Sequence, residues 1–147
     1  MRRLSYITAV ASAGVVLGAP SAAAANTHLS GGGTASISQV AMNVTFSGSG
    51  SASGTFNCLM AGRSAFVLGA FGLSHIMKVQ ARPTAGSISG STATFSGPGF
   101  LIMDAGQRMN IHVSVWANVA TQQFQLTVVE VGTLPVESFL TGGISMN

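Results

Sequence analysis

The feature that most constrains the fold is a regular alternation of apolar and polar residues between Met109 and Val131. Its apolar positions are Met109, Ile111, Val113 and Val115 in a first run, and Phe124, Leu126 and Val128 in a second. Successive side chains of a strand point to opposite faces, so each run predicts a strand with one apolar face and one largely polar face. Because only a short polar break at 121–123 separates the runs, they predict an antiparallel hairpin whose apolar faces share one core.

The same period of two recurs along most of the chain after Gly33. The clearest further run has Val40, Met42, Val44 and Phe46 at alternate positions. Turn signals follow about every ten residues, and most connections are short, which favours antiparallel neighbours. We therefore predict an all-β fold, an antiparallel β-sandwich of about eight to ten short strands, with a small closed β-barrel as the alternative.

One further segment predicts a turn, and another is ambiguous. The sequence Gly97-Pro98-Gly99 predicts a turn, because glycine and proline are the strongest local signals for one. Residues 65–73 are apolar on both faces, so the period cannot separate a buried strand from a short helix. Gly69 and Gly72 weaken a helix, and a strand with a bulge fits this segment better.

The N-terminus has the three parts of a secretory signal peptide. Arg2 and Arg3 precede a short apolar stretch at 7–18, and four alanines at 22–25 follow it. We predict a signal-peptide helix at 1–25, export by the Sec route, and cleavage after Ala25. The mature chain then has a flexible glycine-rich lead-in at 26–33 and a single β-sandwich domain at 34–147, and it is secreted to the extracellular space or the cell surface.

The mature chain is not expected to span a membrane. The apolar stretch at 7–18 is shorter than the roughly 20 residues that a spanning helix needs. Membrane-spanning strands need about nine to eleven residues each and aromatic side chains at both interfaces. Most of the apolar runs are shorter, and Trp116 without any tyrosine after Tyr6 cannot supply those aromatic side chains.

Charge excludes one class of partner and favours another. Loss of Arg2 and Arg3 with the leader lowers the net charge from +3 to +1. Four cations separated in the sequence cannot neutralise a run of phosphates, so nucleic acid is not an expected partner. Only 6% of the residues are charged, against about a quarter in ordinary globular proteins. Such a surface repels itself weakly, which permits self-association or contact with a neutral surface or glycan.

The residues capable of chemistry are few. Cys58, the only cysteine, shares a strand face with Phe56 and Met60, which predicts a buried thiol rather than a nucleophile. The acidic residues are Asp104, Glu130 and Glu137, and the histidines are His28, His75 and His112. Neither set has the spacing of a metal site or of a catalytic pair. The sequence therefore predicts no metal, no cofactor and no enzymatic activity.

Trp116, the only tryptophan, is the most informative single residue. Strict alternation places it on the polar side of its strand together with Asn110, His112 and Asn118. An aromatic ring among amides on a neutral face suits a sugar-stacking or protein-contact surface. The opposing interpretation is that this face packs under a loop or a second sheet. Trp116, Asn118, Asn110 and His112 are the candidate ligand-binding residues.

Several short segments resemble a known type of protein. They are Gly54-Thr55-Phe56-Asn57-Cys58, the run from Ala93 to Gly99, and the terminal Gly142-Gly143-Ile144-Ser145-Met146. Together with the leader and the early glycines, they make the chain similar to small exported bacterial β-sandwich domains of uncharacterised function, the post-COAP type among them. The resemblance implies a β-sandwich and export, and it brings no catalytic residue with it.

These observations leave three functional hypotheses. The first is an exported, non-catalytic protein that acts by contact, as a structural or self-associating component of the cell surface or the extracellular space. The second is a carbohydrate- or small-ligand-binding module that uses the Trp116 face. The third is a small hydrolase that uses His75, His112 or Cys58.

Overall fold

The computed structural model describes residues 25–61, 76–103 and 106–147, which form ten β-strands and no helix. The strands are β1 Thr27–Ala35, β2 Gln39–Phe46, β3 Ala52–Ala61, β4 Ile76–Ala81, β5 Ala85–Ser89, β6 Thr92–Met103, β7 Arg108–Asn118, β8 Gln123–Val128, β9 Gly132–Thr133 and β10 Glu137–Met146. Outside the described residues lie 1–24 of the predicted leader, the ambiguous segment 65–73, Arg63, His75 and Asp104.

All pairings between these strands are antiparallel, and they join the strands into one sheet. The order along the sheet is β10-β1-β2-β3-β4-β6-β7-β8-β9, and β5 branches from it by pairing with β6. β10 also pairs with β8 through Glu137 and Ser138, so the sheet returns on itself as a ring of strands. The all-β, antiparallel prediction is confirmed.

The predicted central hairpin is confirmed as β7 and β8, paired from Val113 with Val128 to Asn118 with Gln123. Its apolar positions point into the ring and are buried: Ile111, Val113, Val115, Phe124, Leu126 and Val128. Met109, the first of the predicted apolar positions, is instead 44% exposed. It is the second residue of β7, at the strand's N-terminal end.

Inward-facing side chains from all parts of the ring meet in one core. Phe95 of β6 lies at its centre, with its ring centroid 6.4 Å from that of Phe46 on β2 and 5.8 Å from that of Phe56 on β3. Edge-to-face contacts of this kind are favourable beyond the area that they bury. They join β6 to β2 and β3, strands that are not its neighbours in the sheet.

The predicted flexible lead-in at 26–33 is wrong, because most of it belongs to β1. β1 pairs with β2 on one side and with β10 on the other. Its glycines permit a close approach of these strands: a Cβ on Gly33 would lie 2.0 Å from the carbonyl oxygen of Thr141. Glycine composition alone indicates flexibility, but here the neighbouring backbones occupy the space that side chains would need.

The predicted turn at Gly97-Pro98-Gly99 is also wrong, because all three residues lie within β6. Proline usually interrupts a strand because it cannot donate a ladder hydrogen bond. Pro98 faces the gap between β4 and β5, and its carbonyl accepts a hydrogen bond from the Arg82 N–H at 2.9 Å. Gly97 allows this close approach, since a Cβ there would lie 2.1 Å from the Arg82 oxygen.

Gln122 completes the sheet between β8 and β10, beyond the two residue pairs that join them directly. Its Nε2 donates to the carbonyls of Val119 at 2.6 Å and Ile144 at 2.9 Å, and its Oε1 accepts the Ile144 N–H at 2.9 Å. Its φ of 54° lies in the left-handed region, which is uncommon for a residue other than glycine. The amide side chain thus acts as a short extra segment of backbone.

The buried thiol predicted at Cys58 is confirmed, and it lies beside a buried polar pair. Glu137 accepts hydrogen bonds from the Ser38 hydroxyl at 2.9 and 2.8 Å and from the Ile37 N–H at 3.1 Å. Burial raises the pKa of the Cys58 thiol to about 12, outweighing a hydrogen bond to Ser38 that lowers it, while Glu137 raises it further. The thiol is therefore protonated at neutral pH and poorly nucleophilic.

Candidate binding surface

The four residues predicted to bind a ligand all point outward from β7, but they do not form one compact site. Asn110 and His112 are exposed near one end of the strand, and Trp116 and Asn118 are half-buried near the other. Eight residues of strand separate Asn110 from Asn118, a distance of about 26 Å. The strand therefore carries two separate outward-facing pairs.

Trp116 lies on a neutral polar surface formed by three strands. Its strand neighbours are Thr94 on β6 and Gln125 on β8. The outward positions around them carry mainly hydroxyls and amides: Thr92, Ser96, Ser114, Asn118, Gln123 and Thr127. We call this area the Trp116 surface. Trp116 is half-buried there and faces away from the core.

Asn118 also has a structural role at the end of the hairpin. Its Oδ1 accepts hydrogen bonds from the backbone N–H groups of Ala120 at 2.9 Å and Thr121 at 3.1 Å. Its Nδ2 donates to the Thr92 hydroxyl at 3.4 Å. An asparagine that bonds the backbone two and three residues ahead stabilises a turn. Asn118 therefore supports the Trp116 surface from its edge.

His112 is held by Glu130. Both carboxylate oxygens of Glu130 accept the His112 backbone N–H, at 3.0 and 2.9 Å, and Oε1 lies 2.9 Å from the His112 Nδ1. β8 ends at Val128; just beyond it, the His112 carbonyl accepts the Val129 N–H at 2.9 Å, and the Glu130 carboxylate accepts the His112 N–H. The backbone hydrogen bond from His112 and then its ring hydrogen bond lower the pKa of Glu130. Both the backbone N–H and the ring of His112 are thus bonded to Glu130.

A groove of about 540 Å³ lies on the outer face of β3, β4, β6 and β7, at the Asn110 end. Its lining includes Thr55, Asn57, Gln80, Arg82, Pro98, Phe100 and Arg108, and we call it the cationic groove. The strand register aligns these residues in rows across the sheet. One row runs from Asn57 to Gln80, then to Phe100 and Asn110.

Two charged side chains and one aromatic ring dominate this groove. The guanidinium carbon of Arg108 lies 3.7 Å from the centroid of the Phe100 ring, a cation–π arrangement. Arg82 is exposed on the opposite side of the groove. Lys78 faces the same way as Gln80 and Arg82 along β4, and it pairs with Ile102, which in turn pairs with Arg108. All three cations in the described part of the chain therefore share one outer face.

Sequence reasoning missed this groove. The period of two correctly predicted that Lys78 and Arg82 point away from the core. It could not show that only β6 lies between β4 and β7 in the sheet. In the sequence, β5 and the connection between β6 and β7 also lie between them. Cations that are far apart in the sequence are neighbours across the sheet.

A second depression, of about 380 Å³, continues the same face over β1, β2 and β3. It shares Asn57 with the cationic groove, and Gly33, Ala41 and Leu59 contribute to its lining. The small side chains in its lining make this depression shallow. Beyond it, Leu59 and Leu140 line a third depression and are 36% and 67% exposed.

Acidic residues and metal ligands do not gather in the described part of the chain. Glu137 is buried beside Ser38, and Glu130 is bonded to His112. Residues 25–61, 76–103 and 106–147 contain no group of three or more histidine, cysteine or acidic side chains that could hold a metal ion. Within the same ranges, no helix has the length and apolar character needed to cross a membrane.

Comparison with known proteins does not extend this description. No family model, curated protein or solved structure matches the chain. The surfaces described above are therefore interpreted from their own geometry and chemistry.

Proposed function

We propose that the chain is an exported, non-catalytic protein that acts by contact, and that the Trp116 surface is where it meets its partner. The observation that carries this proposal is the outward position of Trp116 among hydroxyl and amide side chains. Tryptophan supplies a large contact area at a small cost in side-chain entropy, and surrounding hydroxyls and amides supply adaptable hydrogen bonds.

Export is supported by the match between the predicted leader and the first strand. β1 begins at Thr27, two residues after the proposed cleavage site. The His28 N–H donates to the carbonyl of Asn147 at 2.7 Å, and the Asn147 N–H donates back to His28 at 3.0 Å. Cleavage after Ala25 would leave this pairing and the whole of β1 intact.

The partner we favour is a neutral glycan. The flat face of a sugar ring stacks on an aromatic side chain, and its hydroxyls match the threonine and glutamine neighbours of Trp116. A second copy of the chain is the other candidate, and it would use a different surface: Leu59 and Leu140 are exposed and line one depression that does not include Trp116, and exposed apolar groups promote association.

Trp116 fluorescence tests the glycan proposal directly. The only tyrosine, Tyr6, lies in the predicted leader, so the emission of the exported chain reports Trp116 alone. A panel of neutral polysaccharides should include one that shifts the emission to shorter wavelength, because stacking removes water from the indole. Replacing Trp116 by Phe should weaken binding of that polysaccharide, and replacing the exposed Ser53 on β3, which is not adjacent to β7 in the sheet, by Ala should not.

Light scattering over a range of concentrations separates the two partners. A mass that rises with concentration, without any glycan response, would favour the second copy. A chain that stays monomeric and whose Trp116 emission ignores every glycan would contradict the proposed function altogether.

A further inference from the structure

We propose that the cationic groove is a separate binding site for an acidic polysaccharide, a hydroxyl-rich chain that carries widely spaced carboxylates. The groove lies at the Asn110 end of β7, away from the Trp116 surface, and the inference does not depend on the function proposed for that surface. It rests on the charge, the fixed geometry and the spacing of groups around Phe100.

The charge of the groove is unbalanced among the described residues. Arg82 and Arg108 line it, and Lys78 stands on the same face of β4. The two acidic residues of the described ranges are engaged elsewhere: Glu130 bonds His112, and Glu137 bonds Ser38. Neither Lys78 nor Arg82 forms an ion pair within the described ranges. An anion is therefore the ligand that this face attracts.

The stacking of Arg108 on Phe100 suits it to bind a carboxylate. Its guanidinium lies over Phe100, which restricts its motion and leaves the N–H edges of the planar group directed sideways. Arginine binds carboxylates through two parallel N–H···O bonds, and a restrained side chain loses less entropy when it does so. Phe100 therefore contributes to binding by positioning Arg108 and by lining the groove.

The amides beside Phe100 suit hydroxyl groups. Gln80 Nε2 donates to Asn57 Oδ1 at 2.8 Å. This bond fixes both side chains, and it leaves the Asn57 Nδ2 donors and the Gln80 Oε1 acceptor without another partner in the described part of the chain. With the hydroxyl of Thr55, these atoms offer both donors and acceptors along the groove. A sugar chain presents groups of both kinds.

The spacing of the cations selects a polyanion of low charge density. Lys78 lies on β4 and Arg82 directly follows the end of that strand; four residues of extended chain span about 13 Å. Duplex DNA carries one charge per roughly 1.7 Å of its length, so most of its phosphates would find no partner here. A polysaccharide with carboxylates separated by neutral sugar atoms matches three dispersed cations with amides between them.

Polygalacturonate binding tests this inference, measured by isothermal titration with the purified chain at about 0.1 M salt, where charges more than about 10 Å apart are screened. We expect binding to polygalacturonate and none to its methyl ester, which has the same backbone without charge. Arg108→Gln and Arg82→Gln should each weaken binding at least about tenfold, which corresponds to about 1.4 kcal/mol. Phe100→Leu should also weaken binding, because Arg108 loses its aromatic support.

The matched control is Thr121→Glu. It changes the net charge by the same single unit as each arginine variant, but it lies in the exposed β7–β8 turn, at the far end of β7 from Arg108. Its affinity should stay within about twofold of wild type, because a distant exposed charge is screened. Thermal unfolding of each variant checks that the fold is retained.

Four results would overturn the inference. They are no binding of polygalacturonate, equal binding of its methyl ester, an equal loss of affinity in Thr121→Glu and the arginine variants, and tighter binding of polyphosphate than of polygalacturonate. The last two would show general attraction of anions or a phosphate ligand. None of them bears on Trp116, so this site and the proposed function can fail separately.

Discussion

Glu137 shows how a single buried residue links the two ends of the domain. It lies at the start of β10 and is 1% exposed, and it accepts hydrogen bonds from Ile37 and Ser38 in the connection between β1 and β2. Burial raises the pKa of its carboxyl, and the hydrogen bonds from Ile37 and Ser38 offset only part of this effect. The carboxylate is therefore satisfied by hydrogen bonds, but at a cost in solvation.

This raised pKa predicts a pH dependence of stability. A carboxyl whose pKa is higher in the folded state than in the unfolded chain stabilises the fold fully below the unfolded value of about 4.3. That contribution is lost as the pH rises through the folded pKa. In Glu137→Gln, the free energy of unfolding should therefore fall less between acidic and neutral pH than in wild type, as measured by urea unfolding at a series of pH values.

Glu130→Gln is the control with the opposite sign. The pKa of Glu130 is lowered, so its contribution to stability is present above the unfolded pKa and is lost as the pH falls. Its replacement should remove stability at neutral pH and leave acidic solutions less affected. A Glu137→Gln profile that follows wild type at every pH would show that Glu137 is not perturbed by burial.

The elements show what sequence could predict and where it failed. Alternation identified the β7–β8 hairpin and β2, because a strand with one buried face leaves this pattern in the sequence. It failed at β1 and at Gly97-Pro98-Gly99, where glycine and proline predict a lead-in and a turn. There the close approach of neighbouring backbones overrides local preference, and that approach depends on strands far away in the sequence.

The candidate site divides in the same way. The outward direction of Trp116, Asn110 and His112 followed from alternation, because direction is a local property of a strand. The engagement of His112 by Glu130 and the gathering of Arg82 with Arg108 did not follow. Both depend on which strands are neighbours and on their register, and period-two spacing carries no information about either.

Ring closure at Gln122 provides a test at the level of elements. Gln122→Ala removes hydrogen bonds to Val119 and to both backbone groups of Ile144, and it leaves partly buried groups unpaired. We expect a loss of about 1–3 kcal/mol in the free energy of unfolding, measured with urea. Gln107→Ala, at an exposed position before β7, should change it by less than about 0.5 kcal/mol. Equal effects would mean that Gln122 does not join β8 to β10.

In the whole molecule, the ring of strands divides the side chains into an apolar interior and an outer surface. Among the described residues, the interior holds the buried apolar side chains of one core, including Phe46, Phe56, Phe95 and Phe124. The outer surface carries the neutral area around Trp116 and the cationic groove around Phe100 as distinct regions. We therefore propose that function lies on the outside of the sheet and that the core holds the outer rows in register.

The most direct test of this central claim is the mapping of backbone amide chemical shifts by NMR while polygalacturonate is added. We predict shifts concentrated at Lys78–Arg82, Phe100 and Arg108–Asn110, which are adjacent across the sheet but distant in the sequence. The amides at the opposite end, around Thr121 and Gly143, should stay unchanged. Shifts that are strongest at that opposite end, or absent from the whole chain, would contradict the claim.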